Sequence, residues 1–220
     1  MNILITGASS GIGLELTKQL AKEYKVLAVC RKVSPELEKI NCSILASIDF
    51  ADNTWQDKLK KEIQQTQFDL VIHNAGVLKS DCFDELNYQD IQEQFEINTL
   101  APLKMARTLY PENLQQGGKF VIITSRMGSI ADNESSSLYG YRISKCAVNM
   151  VGKNLAHDLK AKNIAVALIH PGYVKTKMTN FNGHITPQES ANSIIKVIQS
   201  QLTLKSSGSF WHSDGTLLPW

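Results

Sequence analysis

Cysteine is scarce in this chain, and what there is shows no pairing pattern. Cys30, Cys42, Cys82 and Cys146 form no CxxC pair and no zinc-ligand spacing. The five histidines are scattered and HExxH is missing, so no metal site is expected. No apolar run approaches the roughly 18 residues of a membrane-crossing helix. Neither sign of charge is in excess. Lys and Arg number 23 against 21 Asp and Glu, a net +2 that gives no pull toward nucleic acid or an acidic membrane. With 6 Pro, 13 Gly and 43% hydrophobic residues, the composition excludes a disordered or collagen-like chain. Met1-Asn2 runs straight into Ile3-Leu4-Ile5, with neither a basic leader nor an apolar signal segment. Taken with the unpaired cysteines, this predicts reduced thiols in a cytoplasm.

What recurs is a short apolar run followed by an amphipathic stretch. The apolar runs are Ile3–Thr6, Lys25–Cys30, Ser43–Ile48, Leu70–His73, Lys119–Thr124, Ala165–Ile169 and, more weakly, Ser209–His212. Several are apolar throughout rather than alternating, as parallel strands buried on both faces read. Helical stretches fall near Gly11–Tyr24, Asn53–Thr66, Tyr88–Tyr110, Leu138–Lys160 and Pro187–Leu202. The alternation predicts an α/β fold: a doubly wound, mainly parallel sheet with helices on both faces. No internal repeat or Pro/Gly/Ser-rich hinge divides the chain, so a single domain over residues 1–220 is expected.

The first strand ends in Thr6-Gly7-Ala8-Ser9-Ser10-Gly11-Ile12-Gly13, and a helix opens within that segment. Small residues at a strand–turn–helix junction let backbone amides approach a diphosphate, where the helix terminus is electropositive. Gly7 suits the tight turn, Gly11 close approach and Gly13 close helix–strand packing. No Gly-Lys-Ser/Thr follows, so the loop is not a Walker loop. The second strand ends in Val29-Cys30-Arg31-Lys32, where a binder of an unmodified ribose carries a carboxylate. A guanidinium pairs with a 2′-phosphate through two hydrogen bonds. Arg31 therefore points to NADP(H) as the preferred cofactor, with NAD(H) the alternative. Lys32 reads as an ordinary surface charge.

The segment Tyr141-Arg142-Ile143-Ser144-Lys145 lies in a predicted long helix, and a spacing of four puts Tyr141 and Lys145 on one face. Free tyrosine titrates near pH ~10; a neighbouring ammonium favours the tyrosinate and lowers that value. Such a pair can give a proton to a carbonyl oxygen as hydride reaches its carbon. Ser125, at the end of the fifth strand, comes out at the same end of the sheet as the glycine loop and can hydrogen-bond the same oxygen. Ser129 and Ser135–Ser137 are nearby competitors. Asn98 precedes Pro102 by four residues, and a proline has no N–H to bond its carbonyl. The freed carbonyl can hold a water that leads to Lys145.

At this point the sequence resembles the short-chain dehydrogenase/reductase family over nearly its whole length. The likeness rests on the Thr6–Gly13 loop, Asn74-Ala75-Gly76, Asn98, Ser125, Tyr141 with Lys145, and Pro171-Gly172. It implies a Rossmann fold with a seven-stranded doubly wound sheet. Catalytic roles would fall to Tyr141 as general acid/base, Ser125 as orienter of the substrate oxygen, Lys145 on the nicotinamide ribose and Asn98 closing a proton relay. Ser9, Ser10 and Ile12 would join the three loop glycines at the cofactor. Asp49 and Phe50 would lie at the adenine, with Asn74, Ala75 and Gly76 beside its ribose. Pro171, Gly172, Val174 and Thr176 would border the nicotinamide, and a short segment over residues 172–186 would bind substrate.

His73 departs from the family pattern, standing where Asn is usual, and reads as a strand-end histidine. The gap from Ser125 to Tyr141 is a few residues longer than common in the family. The closing Phe210-Trp211-His212-Ser213-Asp214-Gly215 resembles the small members related to C-factor and the sniffer carbonyl reductases. The expected function is hydride transfer between NADP(H) and a small carbonyl or alcohol, with Tyr139, Met178 and Phe181 as candidate apolar lining. A homodimer or homotetramer is expected, through the Tyr88–Tyr110 stretch and the helix after Tyr141. The alternative is a catalytically weak dinucleotide-binding regulator of the C-factor type. A sugar epimerase is disfavoured, because little chain follows the last core strand.

Overall fold

The computed structural model describes all residues, 1–220. Seven strands form one sheet: β1 (Asn2–Thr6), β2 (Lys25–Val29), β3 (Ser43–Leu45), β4 (Phe68–His73), β5 (Leu114–Ile123), β6 (Ala165–His170) and β7 (Ser209–His212). Their order is β3-β2-β1-β4-β5-β6-β7, and every pairing is parallel. The order reverses between β1 and β4, so the crevice for a ligand opens at the carboxyl ends of these two strands.

Side chains alternate across the sheet and feed two separate cores. Leu4, Val71, Phe120, Ile122 and Leu168 face one side, against helices α3 (Trp55–Ile63), α5 (Ala101–Leu109) and α6 (Tyr139–Asp158). Ile3, Ile5, Ile72, Val121 and Ile169 face the other, against α1 (Gly11–Leu20), α2 (Pro35–Glu38) and α7 (Pro187–Ser200). Burial on both faces explains why the strands read as unbroken apolar runs. Each fully buried Leu, Ile or Phe is worth about 1.5–3 kcal/mol of transfer free energy.

Three elements depart most from the sequence reading. The stretch Tyr88–Tyr110 is not one helix. It consists of α4 (Tyr88–Phe95), a π-turn over Glu96–Leu100 and then α5. Pro102 cannot donate to Asn98, and the Ala101 N–H reaches back to the Glu96 carbonyl instead, which widens the turn. Strand β5 starts at Leu114 rather than Lys119, with a register shift against β4 and Gly117 at φ +81°. The polar Gln115–Gly118 segment falls in the register jump between Leu114 and Lys119 and has no partner in β4, so it carries no apolar strand pattern. The short helix α2, capped by Ser34 accepting from the Leu37 N–H, has too few residues to show a period.

Helix starts follow their caps. Asn87 accepts from the Gln89 and Asp90 amides at the start of α4. Thr186 and Glu189 form a reciprocal capping box on α7, with Pro187 in the first turn.

Candidate active site

The chain leaves a cleft of about 570 Å³ at the carboxyl end of the sheet. One end holds the turn from β1 into α1. Gly7 and Gly11 take φ values of +66° and +55°, the left-handed region that disfavours a side chain. A Cβ on Gly13 would fall 2.2 Å from the Gly7 carbonyl oxygen, so only glycine fits where α1 crosses that turn. Ser10 precedes α1 and caps none of its amides with its side chain. The helix start therefore presents free N–H groups beside Gly7, Ser9, Ser10, Gly11 and Ile12, all of which line the cleft. This geometry fits the diphosphate of a dinucleotide.

Asn74, Ala75 and Gly76 form the wall between β1 and the cleft. The Thr6 hydroxyl accepts from the Asn74 and Ala75 amides at 3.1 and 3.0 Å. The Asn74 amide group donates to the Thr6 and Gly7 carbonyls at 3.2 and 3.3 Å. Asn74 thus ties β4 to the glycine turn as well as facing the cleft. Arg31, Asp49 and Phe50 line the cleft as well, and the Arg31 guanidinium stands 3.5 Å from the Asp49 carboxylate. Both members of that pair are exposed enough for solvent to screen it.

Tyr141 and Lys145 lie at the other end, both buried. Burial pushes the Tyr141 phenol up to about 12, opposed by a hydrogen bond with Ser125. Ser125 accepts from the Met127 N–H at 3.1 Å, which leaves its hydroxyl proton free to face the phenol oxygen. Lys145 Nζ donates to the Ile123 carbonyl at 3.0 Å and stands 5.7 Å from the Tyr141 ring centre. Burial lowers its pKa to about 8. In the protein alone burial dominates at both groups, and the contact that lowers the phenol is Ser125 rather than the expected Lys145.

Asn98 sits in the π-turn, on a broken helix rather than a regular one, and its side chain is fully engaged. Its amide donates to the Val77 carbonyl at 2.8 Å and to the Ser144 hydroxyl at 3.0 Å, and its Oδ1 accepts from the Val77 N–H at 2.8 Å. The Thr99 hydroxyl donates to the Ser144 carbonyl at 2.8 Å. Asn98 and Lys145 meet across Gly76, where a Cβ would lie 3.1 Å from Asn98 Oδ1 and 3.6 Å from Lys145 Nζ.

Pro171 and Thr176 line the cleft, while Gly172 and Val174 sit behind it. Val174 is buried and bridges to Ile185, and Gly172 takes φ +88° under the Ile185 side chain. Gly13 and Asn98 likewise support the cleft rather than face its open volume. Lys32, read from sequence as a surface charge, lines the cleft, and so do Lys175 and Lys177. Isolated lysines carry no signal in a single sequence; only the fold brings these three to one cleft. His73, at the end of β4, is buried under the Phe50 ring at 5.2 Å with Nε2 unpartnered.

A parallel sheet in this order, with a glycine-opened helix and a buried Tyr–Lys pair at one crevice, defines a dinucleotide-binding α/β protein of the oxidoreductase type. The sequence profile of the short chain dehydrogenase family matches residues 1–185, and the chain belongs to that family. It is 39% identical over 225 residues to 1-hydroxy-2-glutathionyl-2-methyl-3-butene dehydrogenase of Rhodococcus sp. (strain AD45), covering 99% of each chain. It is 36% identical over 155 residues to C-signal of Myxococcus xanthus, covering 69% of this chain and 92% of that one. Among solved structures, the NADPH-bound carbonyl reductase from chicken fatty liver superimposes with a TM-score of 0.88 at 27% identity, over 100% of this chain and 98% of that one. Carbonyl reductase Sniffer of D. melanogaster gives the same score and identity, over 100% and 99%. No helix is long and apolar enough to cross a membrane.

Proposed function

We propose that the protein is an NADP(H)-dependent oxidoreductase acting on a carbonyl or alcohol. One observation carries this reading: a single cleft has the glycine-opened helix start and Arg31 at one end and the buried Tyr141–Lys145 pair at the other. NADPH held along this cleft would supply the hydride that the substrate carbon takes up. Tyr141, whose phenol keeps its proton at neutral pH, gives that proton to the substrate oxygen as the carbon is reduced. Ser125 donates a hydrogen bond to the same oxygen and Lys145 holds the nicotinamide ribose. Asn98 fixes the Val77 and Ser144 ends of the site and closes the path along which Tyr141 is reprotonated.

At the cofactor's other end, Arg31 and Lys32 face the 2′-phosphate, while Asp49, Phe50, Asn74 and Ala75 border the adenosine. Pro171, Gly172, Val174 and Thr176 hold the segment over residues 172–186 against the nicotinamide, and Met178 and Phe181 give that segment its apolar contact with substrate. The Rhodococcus relative is named for an alcohol on a glutathione conjugate. A thiol-conjugate alcohol or aldehyde is the first substrate class to test here, since exposed Lys175 and Lys177 suit its carboxylates. Exposed Leu103, Ile143 and Met150 on α5 and α6 support subunit pairing through these helices.

The likeness to C-signal supports a second reading, a dinucleotide-binding signalling protein with little turnover. The complete Asn98, Ser125, Tyr141 and Lys145 set favours the enzyme. The experiment is a panel of aldehydes, ketones and glutathione-conjugate aldehydes, run with NADPH and with NADH. Turnover with an NADPH preference is expected. Tight NADPH binding with no oxidation on any substrate would overturn the enzymatic reading.

A further inference from the structure

Helix α6 carries Tyr141, yet it starts without a cap of its own. Leu138, the residue before it, is apolar and left-handed at φ +54°, and Ser137 before that is at φ +68°. Neither supplies a side-chain oxygen to the first turn. The exposed amides of that turn are bound instead by Asp81, from the loop between β4 and α4. Asp81 Oδ1 accepts from the Tyr139 N–H at 2.5 Å and Oδ2 accepts from the Gly140 N–H at 2.9 Å. The Asp81 carbonyl also accepts from the Leu138 N–H at 3.0 Å. A carboxylate on two successive amides at a helix N-terminus is a charge-assisted, two-point contact that also complements the helix dipole.

The same turn is pressed onto α4. A Cβ on Gly140 would fall 2.5 Å from Gln94 Nε2 and 3.1 Å from Ile91 Cγ1. The carboxylate thus fixes where this turn sits along and around the helix axis, and the close approach at Gly140 fixes how near it lies to α4. Tyr141 is the next residue. On its other side the Ser144 hydroxyl donates to the Tyr141 carbonyl at 2.8 Å and is itself held by Asn98.

We infer that Asp81 is a positioning residue: its carboxylate, clamped on the Tyr139 and Gly140 amides, sets the place of the Tyr141 phenol against Ser125. This rests on the reading of Tyr141 as proton donor. A displacement of about 1 Å at a reacting group lowers the chemical rate by about 100-fold. Asp81→Asn keeps one good acceptor oxygen and loses the charge, and Asp81→Ala loses both contacts.

The test compares the whole protein with D81N and D81A by three readouts: single-turnover hydride transfer to a carbonyl, NADPH binding by fluorescence, and amide hydrogen exchange over residues 139–145. Expected are exchange at Tyr139 and Gly140 faster by about 10-fold or more, and hydride transfer slowed by about 10-fold in D81N and 100-fold in D81A. The NADPH Kd should stay within about twofold. Unchanged protection of these amides in both variants would overturn the inference, as would full hydride-transfer rates despite lost protection. Equal losses in hydride transfer and NADPH binding would also overturn it, because they report general damage. An inactive parent protein counts against the proposed activity alone, and amide exchange then decides the clamp.

Discussion

Lys145 Nζ lies 5.7 Å from the centre of the Tyr141 ring and gives its hydrogen bond to the Ile123 carbonyl. The two groups are both buried, and burial pushes each toward its neutral form, Tyr141 to about 12 and Lys145 to about 8. The resting protein therefore holds a protonated donor at neutral pH, as carbonyl reduction requires. Carbonyl reduction, followed as kcat/KM, should be flat from pH 6 to about 8 and fall above it, as Lys145 loses its charge and then Tyr141 its proton. Alcohol oxidation, which needs Tyr141 to accept a proton, should rise over the same upper range. A rise of the reduction rate with pH through that range would contradict the assignment.

Removal of the phenol oxygen separates chemistry from binding. Tyr141→Phe should lower kcat by about 10²–10⁴-fold and leave the NADPH Kd within about twofold. Steady-state rates and cofactor fluorescence on the same preparation check both halves.

Arg31 sits 3.5 Å from Asp49 at the adenosine end of the cleft, with most of its side chain in solvent. A 2′-phosphate would take this guanidinium as a partner in place of a screened carboxylate. Arg31→Ala should weaken NADPH by about 10-fold, the equivalent of one lost charged hydrogen bond, and change NADH by less than about threefold. Lys32 in the same cleft retains part of the preference, so Arg31→Ala with Lys32→Ala should reduce it further. Equal effects on the two cofactors would count against the 2′-phosphate role.

Local patterns carried most of the architecture. The strands β1, β2, β4 and β6 were legible because both faces are buried, and the glycine turn because Gly7, Gly11 and Gly13 have no steric alternative. Helical spacing puts Tyr141 and Lys145 on one face, and it was the glycine loop, Ser125 and the family resemblance that singled the pair out. What escaped the sequence depends on partners far along the chain. Asp81 is 58 residues from Tyr139, and an acidic residue in a loop has no signature as another helix's cap. The π-turn at Glu96–Leu100 was half-visible through Pro102, but the use of the Asn98 side chain on Val77 and Ser144 was not. The raised tyrosine pKa was missed because proximity to an ammonium is legible in spacing and desolvation is not.

Gly13 gives a test of the cradle that needs no substrate. Gly13→Ala puts a methyl 2.2 Å from the Gly7 carbonyl oxygen and 2.5 Å from the Asn74 amide, atoms fixed by the Thr6 network. The backbone must shift, so urea unfolding should show a loss of about 1–3 kcal/mol. NADPH binding should fall by more than about 10-fold, because the α1 amides move with the turn. Gly117→Ala meets no atom within 4 Å and should leave cofactor binding unchanged, at only the backbone strain of its φ +81°.

His73 ties stability to acid pH. It is 1% exposed, its Nε2 has no partner, and burial followed by the Lys145 charge lowers its pKa to about 3. The folded state therefore keeps it neutral, while the unfolded chain takes up a proton near pH 6.5. Between pH 6.5 and 3 the unfolded state binds more protons, so stability falls as the pH drops through this window. From pH 7 to 5 the loss is about 2 kcal/mol for this one group. His170, also lowered to about 3 by burial, acts in the same direction. His73→Asn should itself destabilise the fold at pH 7 and should remove about half of the histidine-driven slope between pH 7 and 5. The check is urea unfolding of both proteins at the two pH values. A slope identical to that of the parent protein would show that His73 is already protonated, or solvated, in the folded state.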